Sequence, residues 1–242
     1  MELIFMKRTS SELKQTARGT LIGRYSLPIG AYLITFAVSF AVDAILSAFF
    51  PPTKSISSYI TYLIASLITG LLLMLLRVGP TTILLDMSRG GRGQIKDVFY
   101  AFTHQPDRIL LSQVLMSLIC FACLLPCLSI FILGCTLGLT VFYQVVSFLL
   151  LLAGMALAYY LMLAYALVIP LYIDCPQMGV FQLLRESRML MKGNKGRFFY
   201  LELSFIGISL LGILTCFVGL LWIIPYIELT TLEFYREVVG EI

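Results

Sequence analysis

The chain has 242 residues, of which 60% are hydrophobic and 12% are charged, and its formal net charge at pH 7 is +4. A soluble domain of this size has no core large enough for so many apolar residues. The longest run without a charged residue or a histidine extends from Ile109 to Ile173, far beyond the roughly 20 residues of one bilayer crossing. We therefore predict an all-α polytopic membrane protein. Without a nucleic-acid-binding motif, the small basic excess excludes nucleic acid as a partner.

Six apolar segments predict six transmembrane helices that pair along the chain as three helical hairpins. In chain order, the first four run from Tyr25 to Phe49, from Ser57 to Leu76 with a weaker continuation to Leu85, from Ile109 to Leu133, and from Thr140 to Ile173. A break at Gly134–Gly138 separates the third segment from the fourth. Because the fourth segment is long for one crossing, we expect it to tilt or to project beyond the membrane.

The last apolar region allows two interpretations. Leu203 to Ile227 is long enough for a single span, whereas Phe198 to Tyr235 is long enough for a tight hairpin that turns between Thr215 and Gly219. The hairpin would place Glu228 toward the inner face of the membrane. An internal repeat in the chain favours the hairpin, and therefore six spans.

The positions of the basic residues predict how the chain is oriented. With six spans, every Lys and Arg except Lys54 lies on the same side of the membrane. The positive-inside rule assigns that side to the cytoplasm, where Lys and Arg accumulate beside membrane spans. We therefore expect the N-terminus and the C-terminus to be cytoplasmic. An odd number of spans would move only the C-terminal tail to the other side.

We predict a single membrane domain, 1–242, built from three pseudo-repeats at about 8–93, 94–177 and 178–242. Each repeat begins with a short amphipathic segment that precedes its hairpin: Ser10 to Ile22, Gln94 to Thr103, and Val180 to Lys192. Each repeat also contains a proline followed by an acid: Pro80 and Asp86, Pro170 and Asp174, and Pro225 and Glu228. Three such units can pack around a pseudo-axis and satisfy one another's polar groups.

The three amphipathic segments carry apolar residues at helical spacing. These residues are Leu13, Ala17 and Leu21 in the first segment, Ile95, Val98, Phe99 and Phe102 in the second, and Val180, Leu183, Leu184 and Met191 in the third. The first segment also begins with the capping-box sequence Thr9-Ser-Ser-Glu12. Five basic residues beside these faces predict contacts with anionic lipid headgroups. They are Lys14, Arg18, Arg185, Arg188 and Lys192.

The repeated prolines predict helix breaks at Pro80, Pro170 and Pro225, because proline removes a backbone N–H group and disrupts the turn before it. Two interpretations of these breaks remain open. In the first, which we favour, each is an interfacial helix end whose free carbonyl groups bind water. In the second, the broken helices line a vestibule that faces the cytoplasm.

Ionisable residues within predicted spans are candidates for function by default. They are Asp43 late in the first span, Arg77 beside Gly79-Pro80, and Glu202 in the fifth span. The more conservative interpretation places them at interfacial depth or in pairs, with Gln144 as a partner for Asp43. The sequence lacks catalytic motifs such as His-Glu-x-x-His or Gly-x-Ser-x-Gly, so we predict no enzyme, no metal site and no cofactor.

The cysteines favour packing over chemistry. Cys120, Cys123 and Cys127 share one helix face, with no His or carboxylate on that helix to complete a metal site. Cys135 and Cys216 both fall in predicted outer loops. Their spacing leaves open whether they form a disulfide bond.

Small residues four positions apart predict close contacts between helices. They are Ala37 and Ala41 in the first span, and Gly154 and Ala158 in the fourth. Because such pairs are common in membrane helices, we expect them to serve packing within the chain.

Several stretches of the sequence resemble one known family. They are Ser11-Glu-Leu-Lys-Gln-Thr-Ala-Arg-Gly-Thr, Leu184-Arg-Glu-Ser-Arg-Met-Leu-Met-Lys-Gly-Asn-Lys-Gly-Arg-Phe, Leu203-Ser-Phe-Ile-Gly, Gly219-Leu-Leu-Trp-Ile-Ile-Pro-Tyr and Phe234-Tyr-Arg-Glu, together with Gly79-Pro80 and Asp97-Val-Phe-Tyr-Ala-Phe102. With them the chain resembles the bacterial integral-membrane family catalogued as domain of unknown function 975. The resemblance covers nearly the whole chain and implies six spans with a final hairpin. It carries over no catalytic residue.

Together these observations predict a non-enzymatic multi-pass protein of the bacterial cell membrane, with an accessory or scaffolding role at the lipid interface. Its expected partners are membrane lipids, anionic ones above all. Whether it also binds further copies of itself or other membrane proteins remains open. The alternative is a transporter or channel for a lipid or small amphiphile, which rests on the three prolines and on Asp43 and Glu202.

Overall fold

The computed structural model of the chain describes residues 7–50, 56–137 and 140–242. Within these ranges every regular element is helical, as predicted, and no strand is present. Lys54 and Gly138 lie outside the described residues. The elements are α1 (Ser10–Leu21), α2 (Ser26–Phe49), α3 (Ile56–Ser88), a 3₁₀ helix (Ile95–Phe99), α4 (Tyr100–Thr103), α5 (Pro106–Thr136), α6 (Val141–Leu163), α7 (Val168–Asp174), α8 (Val180–Leu190), α9 (Lys195–Leu203), α10 (Ile206–Leu214) and α11 (Leu220–Val239).

Five stretches of the described chain are long and apolar enough to cross a membrane: Ser26–Phe49, Ser57–Ser88, Pro106–Thr136, Val141–Asp174 and Lys195–Leu214. They confirm the prediction of an all-helical membrane protein. The first four correspond to the first four predicted spans, except that Tyr25 and Thr140 lie one residue outside them. Helix α11 follows the fifth stretch and is less apolar, because it carries acidic and basic side chains in its second half.

Helices that follow one another pack side by side: α2 against α3, α5 against α6, and α10 against α11. In the last pair the chain reverses between Thr215 and Gly219, where the sequence predicts a hairpin turn. Cys216 and Phe217 adopt positive φ angles of 51° and 67° there. The hydroxyl oxygen of Thr215 accepts a hydrogen bond of 2.9 Å from the backbone N–H of Gly219. This turn directs α11 back along α10.

The buried core is concentrated at one end of the bundle. There the C-terminal parts of α3, α7 and α11 meet α1, the 3₁₀ helix and α8, and most basic residues lie close by; we call it the basic end. Core residues cluster in 75–87, 163–172 and 229–235. By contrast, only 6% of the most apolar window of α2 is buried within the protein. Apolar side chains gain little from leaving hydrocarbon for a protein interior, whereas those near water must be covered.

Helix α1 covers part of this core with its apolar face. Leu13, Ala17 and Leu21 are buried at i+4 spacing, where α1 packs against α11, α3 and α9. Thr9 and Glu12 form the capping box that their spacing predicts, with hydrogen bonds of 3.3 and 2.7 Å to each other's backbone N–H groups. The bond from the backbone N–H group of Thr9 lowers the pKa of Glu12, because it stabilises the carboxylate.

The second amphipathic segment departs from the predicted helical pattern. It begins as a 3₁₀ helix and continues for one turn as α4. Val98 and Ala101, three residues apart, are buried, whereas Ile95, Phe99 and Phe102 of the predicted apolar face are exposed. Of the four apolar residues that the sequence places on one face, only Val98 is therefore buried within the protein, because a 3₁₀ helix repeats every three residues, not every 3.6.

A helix break is present at only one of the three prolines for which the sequence predicts one. Pro80 lies inside α3 and Pro225 inside α11, and both helices continue past them. The prediction of a break is therefore wrong at these two positions. A proline costs a helix only one internal hydrogen bond, which membrane helices tolerate when neighbours satisfy the freed carbonyl group. Only Pro170 lies beside a break, because α6 ends at Leu163 and α7 begins at Val168.

Helix α8 packs over this break. The hydroxyl group of Ser187 donates a hydrogen bond of 3.0 Å to the backbone oxygen of Ala164. That oxygen lies where the chain leaves α6, and the N–H group four residues on, at Val168, bonds to Tyr165 instead. Ser187 therefore satisfies a carbonyl group that would otherwise lack a partner inside the protein.

The small residues of α6 make the contact that their spacing predicts, whereas those of α2 do not. Gly154 and Ala158 are buried, and a Cβ atom added to Gly154 would lie 2.7 Å from the sulfur of Cys127 on α5. Ala37 and Ala41 are exposed, so the prediction that they pack within the chain is wrong. Apolar side chains in lipid need no protein partner, so spacing alone does not identify the packed face.

Candidate functional site

An ion-pair network joins three helix ends at the basic end. Arg89, just after α3, donates hydrogen bonds of 2.7 and 2.6 Å to Asp174 at the end of α7, and also pairs with Glu241. Arg236 of α11 pairs with Glu241 at 3.0 Å and with Glu233 at 3.2 Å. Arg89 lowers the pKa of Glu241, because its hydrogen bond stabilises the carboxylate. Because Arg89 and Arg236 both have acidic partners, the network stabilises the packing of the ends of α3, α7 and α11.

A groove with a volume of about 730 Å³ lies between α8, the start of α9 and one side of α6. Four basic residues line it: Arg185 and Arg188 of α8, Lys192 in the following turn, and Lys195 at the start of α9. Tyr160 of α6 forms one wall, and the ammonium group of Lys195 lies 4.1 Å from the centre of its ring. Such a cation–π contact orients the ammonium group without neutralising its charge. We call this surface the basic groove.

The cations of the basic groove differ from those of the network because they have no acidic partner. The side chains of Arg185, Arg188 and Lys192 are exposed, and none bonds to a carboxylate or a carbonyl group in the described ranges. Like charges one turn apart on a helix repel each other. An anion that enters the groove would therefore relieve this repulsion as well as form new hydrogen bonds.

The other two residues predicted to contact lipid headgroups lie on α1, apart from the groove. The ammonium group of Lys14 donates a hydrogen bond of 3.3 Å to the backbone oxygen of Ser204 and lies 4.2 Å from the centre of the Phe205 ring. Partial burial there lowers the pKa of Lys14. Arg18 is exposed one turn further along α1. The structure thus joins Arg185, Arg188 and Lys192 in one surface and leaves Lys14 and Arg18 outside it.

The predicted intramembrane polar residues do not form one site. Glu202 accepts a hydrogen bond from the hydroxyl group of Tyr159 on α6. Asp43 is exposed in the C-terminal part of α2, away from the basic end. Neither Asp43 nor Arg77 forms a side-chain hydrogen bond or ion pair with a described residue. The expected contact between Asp43 and Gln144 is therefore not made.

Glu228 is a partly buried acid that the sequence analysis assigned only to the inner face. Its carboxylate lies between α2 and α3, where it accepts hydrogen bonds from the hydroxyl groups of Tyr32 and Thr81. The available signal was an acid three residues after Pro225 within an otherwise apolar run. Because both donors lie on helices distant in sequence, spacing could not have identified them.

The cysteines show neither a metal site nor a disulfide bond. All six are unpaired; Cys135 is exposed at the end of α5, and Cys216 is exposed in the turn between α10 and α11. No group of three His, Cys, Asp or Glu side chains suited to a metal ion occurs in the described part of the chain.

Comparison with known proteins identifies the family. Residues 5–241 match the family described as "Protein of unknown function (DUF975)". The chain belongs to this family. No curated protein and no solved structure matches it.

Membership confirms the resemblance seen in the sequence and agrees with the helical membrane fold. The matched range includes α1, the basic groove and α11 with Glu228, so the match covers every feature described above. The description of the family gives no activity. The chemistry of the exposed surfaces must therefore carry any proposal about function.

Proposed function

We propose that the protein is a non-enzymatic, multi-pass component of the bacterial cell membrane that acts as an accessory or scaffold at the inner leaflet by binding anionic lipid headgroups. The observation that carries this proposal is the basic groove, whose exposed cations have no acidic partner among the described residues. Each Lys or Arg near an anionic surface contributes about 1 kcal/mol to lipid binding. Three or four such residues in one groove are enough to retain a specific lipid.

The proposed topology has six spans, with α11 as the sixth and both termini in the cytoplasm. Its support is the packing of α10 against α11, the turn between Thr215 and Gly219, and the gathering of the basic residues at one end. The positive-inside rule then makes the basic end cytoplasmic. In this arrangement the basic groove faces the headgroups of the inner leaflet.

Neutralising the groove tests the lipid-binding role. In Arg185→Gln/Arg188→Gln/Lys192→Gln we expect the amount of phosphatidylglycerol and cardiolipin that co-purifies with the protein to fall at least about tenfold. Native mass spectrometry after gentle extraction gives the measurement. The matched control is Arg24→Gln/Arg92→Gln/Lys96→Gln, which removes the same charges from exposed positions outside the groove. Equal lipid retention in both triple variants would argue against the groove as the binding surface.

Native cysteines test the topology. Cys135 and Cys216 are exposed at the turns opposite the basic end. Variants that keep only one of them should each react in intact cells with a maleimide that cannot cross the membrane. A variant that keeps only Cys175, just after α7, should react only after the cells are opened. Labelling of Cys216 from the cytoplasm alone would overturn the six-span arrangement.

The alternative of a transporter or channel is not the function that we propose. In the sequence it rests on Asp43, Glu202 and three broken helices. In the structure the two carboxylates do not share a contact, and α3 and α11 continue through Pro80 and Pro225.

A further inference from the structure

A second candidate site lies around Glu228, independent of the basic groove. The carboxylate joins three helices, because Tyr32 of α2 and Thr81 of α3 both donate hydroxyl hydrogen bonds to it on α11. These donors hold the two carboxylate oxygens in a fixed orientation. Both are neutral, so they orient the charge of Glu228 without cancelling it.

The depth of this carboxylate follows from the helix positions of its partners. Tyr32 lies six residues after the start of α2, and Thr81 lies seven residues before the end of α3. At 1.5 Å per residue, both are about 10 Å from the basic end of their helices. In the proposed topology this is the boundary between headgroups and hydrocarbon in the inner leaflet.

The carboxylate has no cationic partner within the described part of the chain. The ion pairs formed among the described residues involve Arg89, Arg197 and Arg236, and none includes Glu228. The nearest basic residue along α3 is Arg77, one turn before Thr81, and its side chain is exposed. A carboxylate away from water gains strongly from a counter-charge. An incoming cation is therefore the partner that this site selects.

A cleft of about 310 Å³ opens beside the carboxylate. Its walls are mostly apolar and come from the segment around the α6–α7 break and from α11: Ala166, Ile169, Pro170, Ile224, Ile227 and Leu232. Thr81, Thr231 and Glu228 supply its polar groups, and a few polar groups in a largely apolar cleft are the usual composition of a small-molecule site. Thr81 and Glu228 follow Pro80 and Pro225, and Pro170 itself lines the cleft, so segments at all three repeated prolines border it.

We infer that the cleft binds a membrane amphiphile that carries an ammonium group. The ammonium group would pair with the Glu228 carboxylate, and the alkyl chain would lie along the wall formed by Ile224 and Ile227. A protonated amine supplies the missing counter-charge and donates hydrogen bonds to the remaining lone pairs. The apolar walls exclude water from the pair and strengthen the attraction. The partially exposed side chain of Ile224 marks the side on which the chain would leave the cleft toward lipid.

Octylammonium and octanol test this inference, because they share an alkyl chain and differ in charge. The full chain is purified in dodecylmaltoside, which contains no amine, and its thermal unfolding is followed with each probe. A ligand that binds only the folded state raises the unfolding midpoint. We expect octylammonium to raise the midpoint by roughly 2–4 °C more than octanol does.

Glu228→Gln removes the charge but keeps the size of the side chain and an acceptor oxygen for one of the two hydroxyl groups. It should abolish the difference between the two probes. Glu202→Gln is the matched control, because Glu202 also accepts a hydrogen bond from a tyrosine but does not line this cleft. It should retain the difference. An undiminished preference for octylammonium in Glu228→Gln would overturn the inference.

A second variant covers the case in which Glu228→Gln does not fold. Ala166→Leu fills the cleft and leaves the carboxylate and its two donors in place. It should lose the preference for octylammonium, and a full preference would again overturn the inference. No anionic lipid is added in the octylammonium assay, and its readout depends on Glu228 and Ala166, which do not line the basic groove, so its outcome is separate from that of the basic groove.

Discussion

The hydroxyl group of Ser187 on α8 donates a hydrogen bond of 3.0 Å to the backbone oxygen of Ala164, at the break between α6 and α7. Both residues are buried, with relative exposures of 0% and 4%. An amphipathic helix is thereby fastened to the interrupted span that precedes it. The bond explains how a break can persist in this part of the protein, since the freed carbonyl group has a partner.

Ser187→Ala should destabilise the protein by about 1–3 kcal/mol, because the oxygen of Ala164 would stay buried without a partner. Chemical or thermal unfolding in detergent measures the change. Ser117→Ala is the control, since Ser117 is exposed and bonds only within its own helix, to Val114. Equal stability of the two variants would mean that water or another group replaces the lost hydroxyl.

Gly79→Ala should be strongly destabilising, because α3 touches the backbone of the 3₁₀ helix at this residue. A Cβ atom added to Gly79 would lie 2.2 Å from the backbone oxygen of Val98. Overpacking of this kind costs about 1–3 kcal/mol, and a backbone neighbour cannot turn aside as a side chain can. The measurement is the unfolding midpoint of the purified protein.

Gly70→Ala is the matched control for that substitution. Gly70 lies on the same helix, and a Cβ atom added there meets nothing within 4 Å. Alanine also favours a helix by up to about 1 kcal/mol over glycine. We therefore expect Gly70→Ala to be neutral or stabilising. A comparable loss of stability in both variants would contradict the close approach at Gly79.

Gly154→Ala and Cys127→Ala should show coupled effects on stability. A Cβ atom on Gly154 would lie 2.7 Å from the sulfur of Cys127 and 3.3 Å from its Cβ. The single variant Gly154→Ala should separate α5 from α6 and cost about 1–3 kcal/mol. Removing the sulfur relieves most of the overlap, so the double variant should recover part of the loss. Additive losses in the double-mutant cycle would show that the two residues are not in contact.

Acid should weaken the ion-pair network through Glu241. The hydrogen bond from Arg89 lowers the pKa of Glu241 below its usual value of 4.5. A carboxylate with a lowered pKa in the folded state contributes stability at pH values above the unfolded pKa, and this contribution is lost as the pH falls through the folded pKa. We expect part of the stability measured at pH 6 to disappear below about pH 4.5, by the 0.2–1 kcal/mol typical of exposed ion pairs.

Glu241→Gln isolates this effect, because it removes the titrating group and leaves the backbone unchanged. The variant should be less stable than the wild type at pH 6 and should approach it in acid. Glu186→Gln removes an acid that forms no ion pair with a described residue, and should leave the difference between pH 6 and acid as in the wild type. An identical pH profile for the wild type and Glu241→Gln would rule out the contribution of this carboxylate.

Hydropathy and local spacing were sufficient to predict the helices themselves. The ends of α2, the start of α6, the capping box at Thr9 and the buried face of α1 agree with the sequence pattern, whereas α6 ends at Leu163, before the predicted end of the fourth span at Ile173. These features depend on residues close together in the chain, or on the transfer of apolar segments into hydrocarbon. Features of both kinds can therefore be predicted from the sequence alone.

Contacts between distant helices could not be predicted in the same way. Hydrocarbon solvates apolar side chains as well as a protein interior does, so no periodic pattern marks the face on which a span packs. For this reason Ala37 and Gly154 look alike in sequence, although only Gly154 is buried. The partners of Glu228 and Arg89 depend on tertiary packing, and the basic groove needs Tyr160 from another helix.

The concentration of the core at one end affects how the protein responds to changes in bilayer thickness. A bilayer that becomes thinner is matched by tilting of the helices that cross it. Here the ends far from the core, such as Phe49 of α2, have exposed side chains and few protein neighbours to disturb. The opposite leaflet can therefore change in thickness while the rigid part of the protein, with both of its candidate binding surfaces, keeps its shape.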